Sequence, residues 1–564
     1  MTHWGPELRD RADTRFRLWA PDRDAVTLEI DGAPSVPMTR DGEGWFTTEA
    51  PAGPGSRYRF RLDADLAVPD PASRLQSGGV HGWSVVVDPG FAWSATEWRG
   101  RPWEETVLLE VHAGTLGGFA GIREQLPAIA ASGITAIELM PINAFGGTRN
   151  WGYDGVLPYA VAESYGSPAE LKTLVDTAHG LGLSVFLDVV YNHFGPDGNY
   201  LNAYAGAFFH PEVDTPWGGA VAVDADPVHR FFVDNALMWL RDYRIDGLRF
   251  DAVHAIANDG FLDRMASEIR AALPERCVHL VLENEKNDAE RLEPGRYDAQ
   301  WNDDFHNVLH VLLTGETSAY YGDFAERPAE RLARCLKEGF IYQGEGSPNH
   351  DGAPRGKPSG HLPSTAFVAF LQNHDQVGNR AMGERLIHLT GRDKLRAATA
   401  LLLLGPQIPL LFMGEDEGSE SPFLFFTDFH DELADAVREG RRREFAKFDA
   451  FADEEARKRI PDPNAAATFE ASIPKPGPAA GEWRALYREL LSLRRTHIVP
   501  RLKGAVGLSA EVRGDAGVKA RWRMADGATL TIAIDLSDAP TLPEGEEGNL
   551  IYREGDRFTA WIAT

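Results

Sequence analysis

Four short apolar runs in this 564-residue chain each end in residues that can do acid–base chemistry. The first ends Asp188-Val-Val-Tyr-Asn192-His193 and the second Gly247-Leu-Arg249-Phe-Asp251. The third ends Leu282-Glu283-Asn284 and the fourth Gln372-Asn373-His374-Asp375. On a strand, Arg249 and Asp251 share a face because they are two apart. A guanidinium beside a carboxylate keeps it ionised, which suits a nucleophile. Glu283 opens a loop among other acids, and such a neighbourhood raises the pKa of one member, which suits a proton donor. Two carboxyl groups with pKa values pushed apart are what cleavage of a glycosidic bond requires. Aromatic residues point to a sugar as well. Trp151, Tyr153, Tyr200, Tyr204, Phe208, Phe209 and Trp217 crowd two loops, and aromatic faces stack on the apolar face of a pyranose. Ordinary loop packing accounts for part of this group.

Plainer readings exist for each residue alone. A single Asp after a strand is ordinarily a turn or helix cap, and Asp188 fits a purely structural role in its loop. Four strand ends carrying carboxylates together are hard to obtain from capping. Metal-assisted hydrolysis is the other chemical reading. Such sites usually show a ligand pair such as HxH after the first strand, whereas Glu110-Val111-His112-Ala113 has one His and no partner two residues on. No metal and no cofactor is therefore expected.

The elements that carry these residues follow from hydrophobic periodicity. Eight apolar strands are predicted at Val107–Val111, Ile134–Met140, Leu183–Val190, Ile245–Asp251, Val278–Glu283, Tyr297–Trp301, Ala366–Gln372 and Ile408–Met413, with helices between most of them. Continuous apolar strands alternating with helices mean a parallel sheet covered on both faces, and eight units argue for a (β/α)₈ barrel. An open doubly wound sheet is the alternative. Residues 1–95 alternate in short strands with turn signals at Asp31-Gly32, Asp41-Gly42 and Pro54-Gly55, as in an immunoglobulin-like β-sandwich. Residues 96–497 form the barrel with insertions, irregular and charged from Arg438 to about Gly481. Residues 498–564 alternate again, as a small C-terminal β-domain.

Composition bounds the class. The net charge is −27, so phosphate backbones and anionic membrane surfaces are poor partners. Two cysteines, Cys277 and Cys335, cannot build a disulfide framework. The N-terminal MTHWGPELRD shows no basic stretch followed by an apolar one, so a cytoplasmic location is expected.

The blocks DVVYNH, GLRFDAVH, LEN and QNHDQ, in this order, resemble the four motifs of the α-amylase superfamily of glycoside hydrolases. The resemblance implies Asp251 as nucleophile, Glu283 as general acid/base and Asp375 as the group gripping hydroxyls of the sugar being cleaved. Asp188, in the first block, is placed among the substrate-binding residues. His193, Arg249 and His374 match ligands of that sugar, and Tyr153 its stacking platform. A narrower resemblance rests on RFRLWAP, EVHAGT, WGYDGVLPYA, WNDDFHN and SPFLFFTDFHDEL. It is to the branch of the superfamily that hydrolyses maltooligosyl trehalose, and it implies that substrate and related α-glucans as partners. Glycogen branching or debranching enzymes, and a non-catalytic glucan-binding protein, are the alternatives. The resemblance implies retention of stereochemistry, for which the two carboxyl groups lie about 5–5.5 Å apart. Asn284-Glu285-Lys286 departs from the family pattern, which has Asp directly after the acid. Trp217, Glu285 and Phe425 are the residues singled out for the leaving-group side. Asn192 matches a calcium ligand of some amylases. Oligomeric state is not legible.

Overall fold

Leucine- and valine-rich strands with no solvent-facing position must be buried on both faces. A computed structural model of the chain describes residues 4–564 except 216–217, 257, 448–450, 452 and 543–547. In it the eight strands close into one parallel barrel. They are β1 (Leu108–Val111), β2 (Ala136–Leu139), β3 (Ser184–Val189), β4 (Gly247–Phe250), β5 (His279–Leu282), β6 (Ala299–Trp301), β7 (Phe367–Ala369) and β8 (Ile408–Phe412). Neighbours in the chain are neighbours in the barrel, and Leu108 opposite Leu410 closes β1 on β8. Closure removes the open-sheet alternative. Every residue of the eight strands is buried.

The helices lie outside: α1 (Gly118–Ser132), α2 (Pro168–Gly180), α3 (Asp226–Asp242), α4 (Asp259–Ala272), α5 (Asp303–Thr314), α6 (Pro328–Glu338) and α7 (Arg392–Leu404). Local chemistry starts them. Ser167 and Glu170 form a reciprocal capping box ahead of Pro168 in α2. The Asn302 side chain accepts from the Phe305 N–H and so sets where α5 begins.

Two antiparallel sheets precede the barrel. One holds Asp13–Trp19 and Trp45–Pro51, the other Thr27–Ile30 and Arg57–Arg61. Phe16, Leu18, Leu28, Tyr58 and Phe60 are fully buried, at the alternate positions that face between the sheets. The sandwich meets the barrel through Trp4, whose ring lies 4.9 Å from Phe231 of α3. A five-stranded antiparallel sheet from Val506 to Ala563 ends the chain. Its Trp522 indole donates to the Leu336 carbonyl of α6 at 2.8 Å.

One expectation fails. The charged stretch after Arg438 is not irregular throughout, because a helix spans Asp431–Glu444 and shorter ones follow at Glu454–Lys458 and Ala466–Ala471. Asp431 and Glu432 open the first of these and Arg441, Arg442 and Arg443 close it, which complements the helix dipole. Its few buried contacts come from Arg441, whose guanidinium lies over the rings of Phe425 and Phe445, so its apolar face is made by a charged residue. Among the described residues, no helix is long and apolar enough to cross a membrane.

Candidate active site

Parallel register brings the C-terminal ends of β3, β4 and β5 level: Asp188 lies opposite Arg249, and Arg249 opposite Val281. Arg249 is fully buried. Its Nη1 donates to Asp188 Oδ2 at 2.6 Å and to Asp251 Oδ1 at 2.9 Å. Its Nη2 lies 2.8 Å from Glu283 Oε2. The Trp301 ring, at the end of β6, covers the guanidinium at 4.1 Å. One cation thus gathers carboxylates from three strand ends, with hydrogen bonds to Asp188 and Asp251 and an ion-pair contact to Glu283.

The fourth strand end joins through His374. Its Nδ1 contacts Glu110 Oε1 at 2.5 Å, and its backbone N–H donates to Glu110 Oε2 at 2.8 Å. Its Nε2 lies 3.4 Å from Asp375 Oδ1. The Tyr153 ring stacks on it at 5.0 Å, and the Tyr153 hydroxyl donates to Asp188 Oδ2 at 2.6 Å. The predicted residues Tyr153, Asp188, Arg249, Asp251, Glu283, His374 and Asp375 therefore form one connected group. His193 joins it from the side, with Nε2 3.0 Å from the Tyr153 carbonyl and Nδ1 against the Asn192 amide oxygen.

Protonation states separate the acids. Burial pushes Glu283 up to about 7; the charges of Asp251 and Asp375 add to this, while Arg249 and the Ala252 N–H oppose it. Asp251 corrects a sequence expectation. Arg249 does favour its ionised form, yet burial outweighs the guanidinium and the net direction is upward. For Asp375 burial is overcome by the His374 charge, and the carboxyl is held below its ordinary value. Burial likewise opposes the His374 charge, but Glu110 and Asp375 raise its pKa well above the usual range. The group thus holds an acid that can keep its proton near neutrality beside a carboxylate that cannot.

Several residues stand differently from expectation. Asp188 is only 1% exposed, and its Oδ2 accepts from Arg249 and Tyr153, so it supports those two from behind. Asn192 turns its amide nitrogen to Asp251, donating to the backbone carbonyl at 2.9 Å and to Oδ2 at 2.8 Å. Among the described residues, no cluster of three or more His, Cys, Asp or Glu is arranged to hold a metal ion. Tyr204 and Phe208 are buried, and Phe208 packs on Trp4 and Trp19 of the sandwich, so this pair welds the β3 loop to the first sheets. Phe425 lies edge-on to Trp151 at 5.3 Å. The Glu285 carboxylate is half exposed and lies between His254 at 3.6 Å and His350 at 3.1 Å. Trp217 lies outside the described residues.

Sequence reasoning did not single out Glu110, Glu138 or Trp301. The readable signal was a lone Glu at the centre of each of two apolar strands, β1 and β2. Glu138 is buried with neither carboxyl oxygen hydrogen-bonded, and burial, reinforced by the Glu110 charge, pushes its pKa well up. Glu110, by contrast, uses both carboxyl oxygens on His374.

Comparison with known proteins agrees with this architecture. Residues 90–209 match the family model described as "Alpha amylase, catalytic domain", and residues 506–560 match a domain of unknown function (DUF3459). A malto-oligosyltrehalose trehalohydrolase of Deinococcus radiodurans is 42% identical over 86% of this chain and 81% of its own. One from Saccharolobus solfataricus is 42% identical over 77% of this chain and 79% of its own. A crystal structure titled as a putative alpha amylase from Salmonella typhimurium superposes with a TM-score of 0.94 at 44% identity, covering all of both chains. With this identity over most of its length, and with the closed barrel between two β units, the chain belongs to the malto-oligosyltrehalose trehalohydrolase family, within the α-amylase superfamily.

Proposed function

We propose that the chain hydrolyses the α-1,4-glucosidic bond next to the terminal trehalose of maltooligosyl trehalose, releasing trehalose and a maltodextrin with retention at the anomeric carbon. The observation that carries the chemistry is the shared guanidinium: Asp251 and Glu283 lie 2.9 and 2.8 Å from two nitrogens of Arg249. Two carboxyls on one cation reach the same sugar ring, as a double displacement needs. Asp251 Oδ2 attacks the anomeric carbon while Glu283 gives its proton to the departing trehalose oxygen. Water, deprotonated by Glu283, then cleaves the glucosyl ester and restores both groups. Asp375 and protonated His374 hold hydroxyls of the ring being cleaved, with Tyr153 stacked beneath it and His193 at its edge. Arg249 keeps the two acids in place, and Asp188 fixes Arg249 and Tyr153.

A division into a sandwich (1–95), a catalytic barrel (96–497) and a C-terminal β-domain (498–564) belongs to this reading. So does a cytoplasmic setting, in keeping with two free cysteines. The test is product analysis. Trehalose and a shortened maltodextrin are expected from maltooligosyl trehalose, with no new α-1,6 branch points and no debranching of glycogen. Branch transfer, or binding of glucan with no product, would replace this reading with one of its alternatives.

The pH dependence follows from Glu283. A proton donor with its pKa near 7 works below that value and fails above it. A plot of kcat/KM against pH is expected to fall through a midpoint near 7. A profile flat from pH 6 to 9 would remove Glu283 as the acid.

A further inference from the structure

Glu110 lies within β1 and is buried. Its register neighbours are Glu138 on β2 and Phe412 on β8. β8 pairs in turn with β7, the strand that leads into His374. A side chain of β1 therefore reaches His374 only by pointing into the barrel and passing β8. Glu110 does so, and both of its oxygens close on that one residue. Oε1 accepts from the ring Nδ1 at 2.5 Å, and Oε2 accepts from the backbone N–H at 2.8 Å. A grip on backbone and ring at once fixes the side-chain torsions between them.

Glu138 shows that the barrel interior does not supply such partners by itself. It stands at the matching register position and is equally buried, yet neither of its oxygens is hydrogen-bonded among the described residues. A buried carboxylate is costly unless paired, and His374 is what pairs Glu110. The rest of the imidazole is enclosed. Tyr153 stacks on it at 5.0 Å, and the rings of Trp151 and Trp301 stand at 5.6 and 6.1 Å. Nε2 is left, 3.4 Å from Asp375 Oδ1. Carboxylate oxygens only accept. With Glu110 at Nδ1 and Asp375 at Nε2, both ring nitrogens carry hydrogen, in agreement with the raised pKa of His374. Glu138 and Asp188 on β2 and β3, His112 just past β1 and the Tyr153 hydroxyl also face this ring, and Arg249 acts on Asp375.

We propose that Glu110 is a positioning residue: its carboxylate holds the His374 ring by Nδ1 and by the backbone N–H, and so aims Nε2–H at a hydroxyl of the glucose unit being cleaved. The proposal rests on the reading above, in which His374 binds that unit. A charged donor makes the stronger hydrogen bond to a hydroxyl. A ring held at its far nitrogen is already in place when the sugar distorts toward the transition state.

The test is a double-mutant cycle on the intact enzyme, followed by trehalose release from maltooligosyl trehalose. Glu110→Gln is expected to lower kcat/KM about ten- to a hundredfold. In a His374→Asn background the same change is expected to cost less than about threefold further, because its effect passes through the imidazole. The pH profile gives a second readout. Removing a negative neighbour lowers the pKa of the ring, which then loses its proton sooner as pH rises. The alkaline midpoint of kcat/KM for Glu110→Gln is therefore expected about one unit below that of wild type. Additive losses in the two backgrounds, or a Glu110→Gln profile of unchanged shape, would overturn the proposal. A third measurement needs no Glu110 variant, in case that variant does not fold. In ¹⁵N-histidine spectra of wild type, the signal absent from His374→Asn is expected to stay doubly protonated at pH 8, and a neutral tautomer there would also defeat the proposal. A wild-type enzyme that releases no trehalose, with the ring still doubly protonated, would instead sink the functional reading.

Discussion

Asp251→Asn is expected to lower kcat on maltooligosyl trehalose on the order of 10⁴-fold or more, about 5 kcal/mol of barrier. An amide cannot form the glucosyl ester, so the route through a covalent intermediate closes. The fold should tolerate the change. Asn is close to isosteric, Arg249 keeps an oxygen acceptor, and the buried position already disfavours the charged form of Asp251. One contact is lost: with the side-chain oxygen kept on Arg249, the new NH₂ group faces the Asn192 NH₂, which retains only the backbone carbonyl of residue 251 as acceptor. The checks are trehalose release under saturating substrate and thermal unfolding of the same preparation. A variant that folds and retains turnover within tenfold of wild type would defeat the nucleophile assignment.

Arg249→Leu is expected to cost about 3–5 kcal/mol of stability as well as activity, since it removes the one cation touching three buried carboxylates. Asp188, Asp251 and Glu283 would then face one another across an apolar side chain. Their folded-state pKa values would rise above the unfolded ones, near 4. A raised acid contributes stability below its unfolded pKa and loses it as pH climbs through the folded one. The deficit relative to wild type should therefore be largest at neutral pH and shrink toward pH 4. Urea unfolding at pH 4.5 and 7.5 measures this directly. A deficit independent of pH would mean that Arg249 acts through packing against Trp301, 4.1 Å away, and not through charge.

Much of the barrel was legible because its strands are apolar throughout, a pattern that survives without knowledge of partners. The eight predicted runs coincide with the eight barrel strands to within a few residues at each end. The Asp431–Glu444 helix was not legible. It is charged at nine of its fourteen positions, and its buried side is supplied by an arginine that needs the rings of Phe425 and Phe445 to be there first. Tyr204 and Phe208 misled in the other direction. Loop aromatics look alike in sequence whether they meet a sugar or a second domain; here Phe208 meets Trp4 and Trp19, and the Tyr204 backbone carbonyl accepts from the Asp22 N–H.

The acids and their spacing were determined by sequence alone, since a strand end followed by a fixed side chain places that group at the rim of any parallel barrel. Protonation was decided by tertiary structure. Arg249 and Asp251, two residues apart, suggested a low pKa, but burial from all sides reverses the direction. Only the closed barrel sets how much water each carboxyl keeps, and only the packed loops give Asp304 its partners Asn287, Ile341, Tyr342 and Arg355. Desolvation and pairing depend on everything that surrounds a group, whereas the order of side chains along one strand depends on that strand alone.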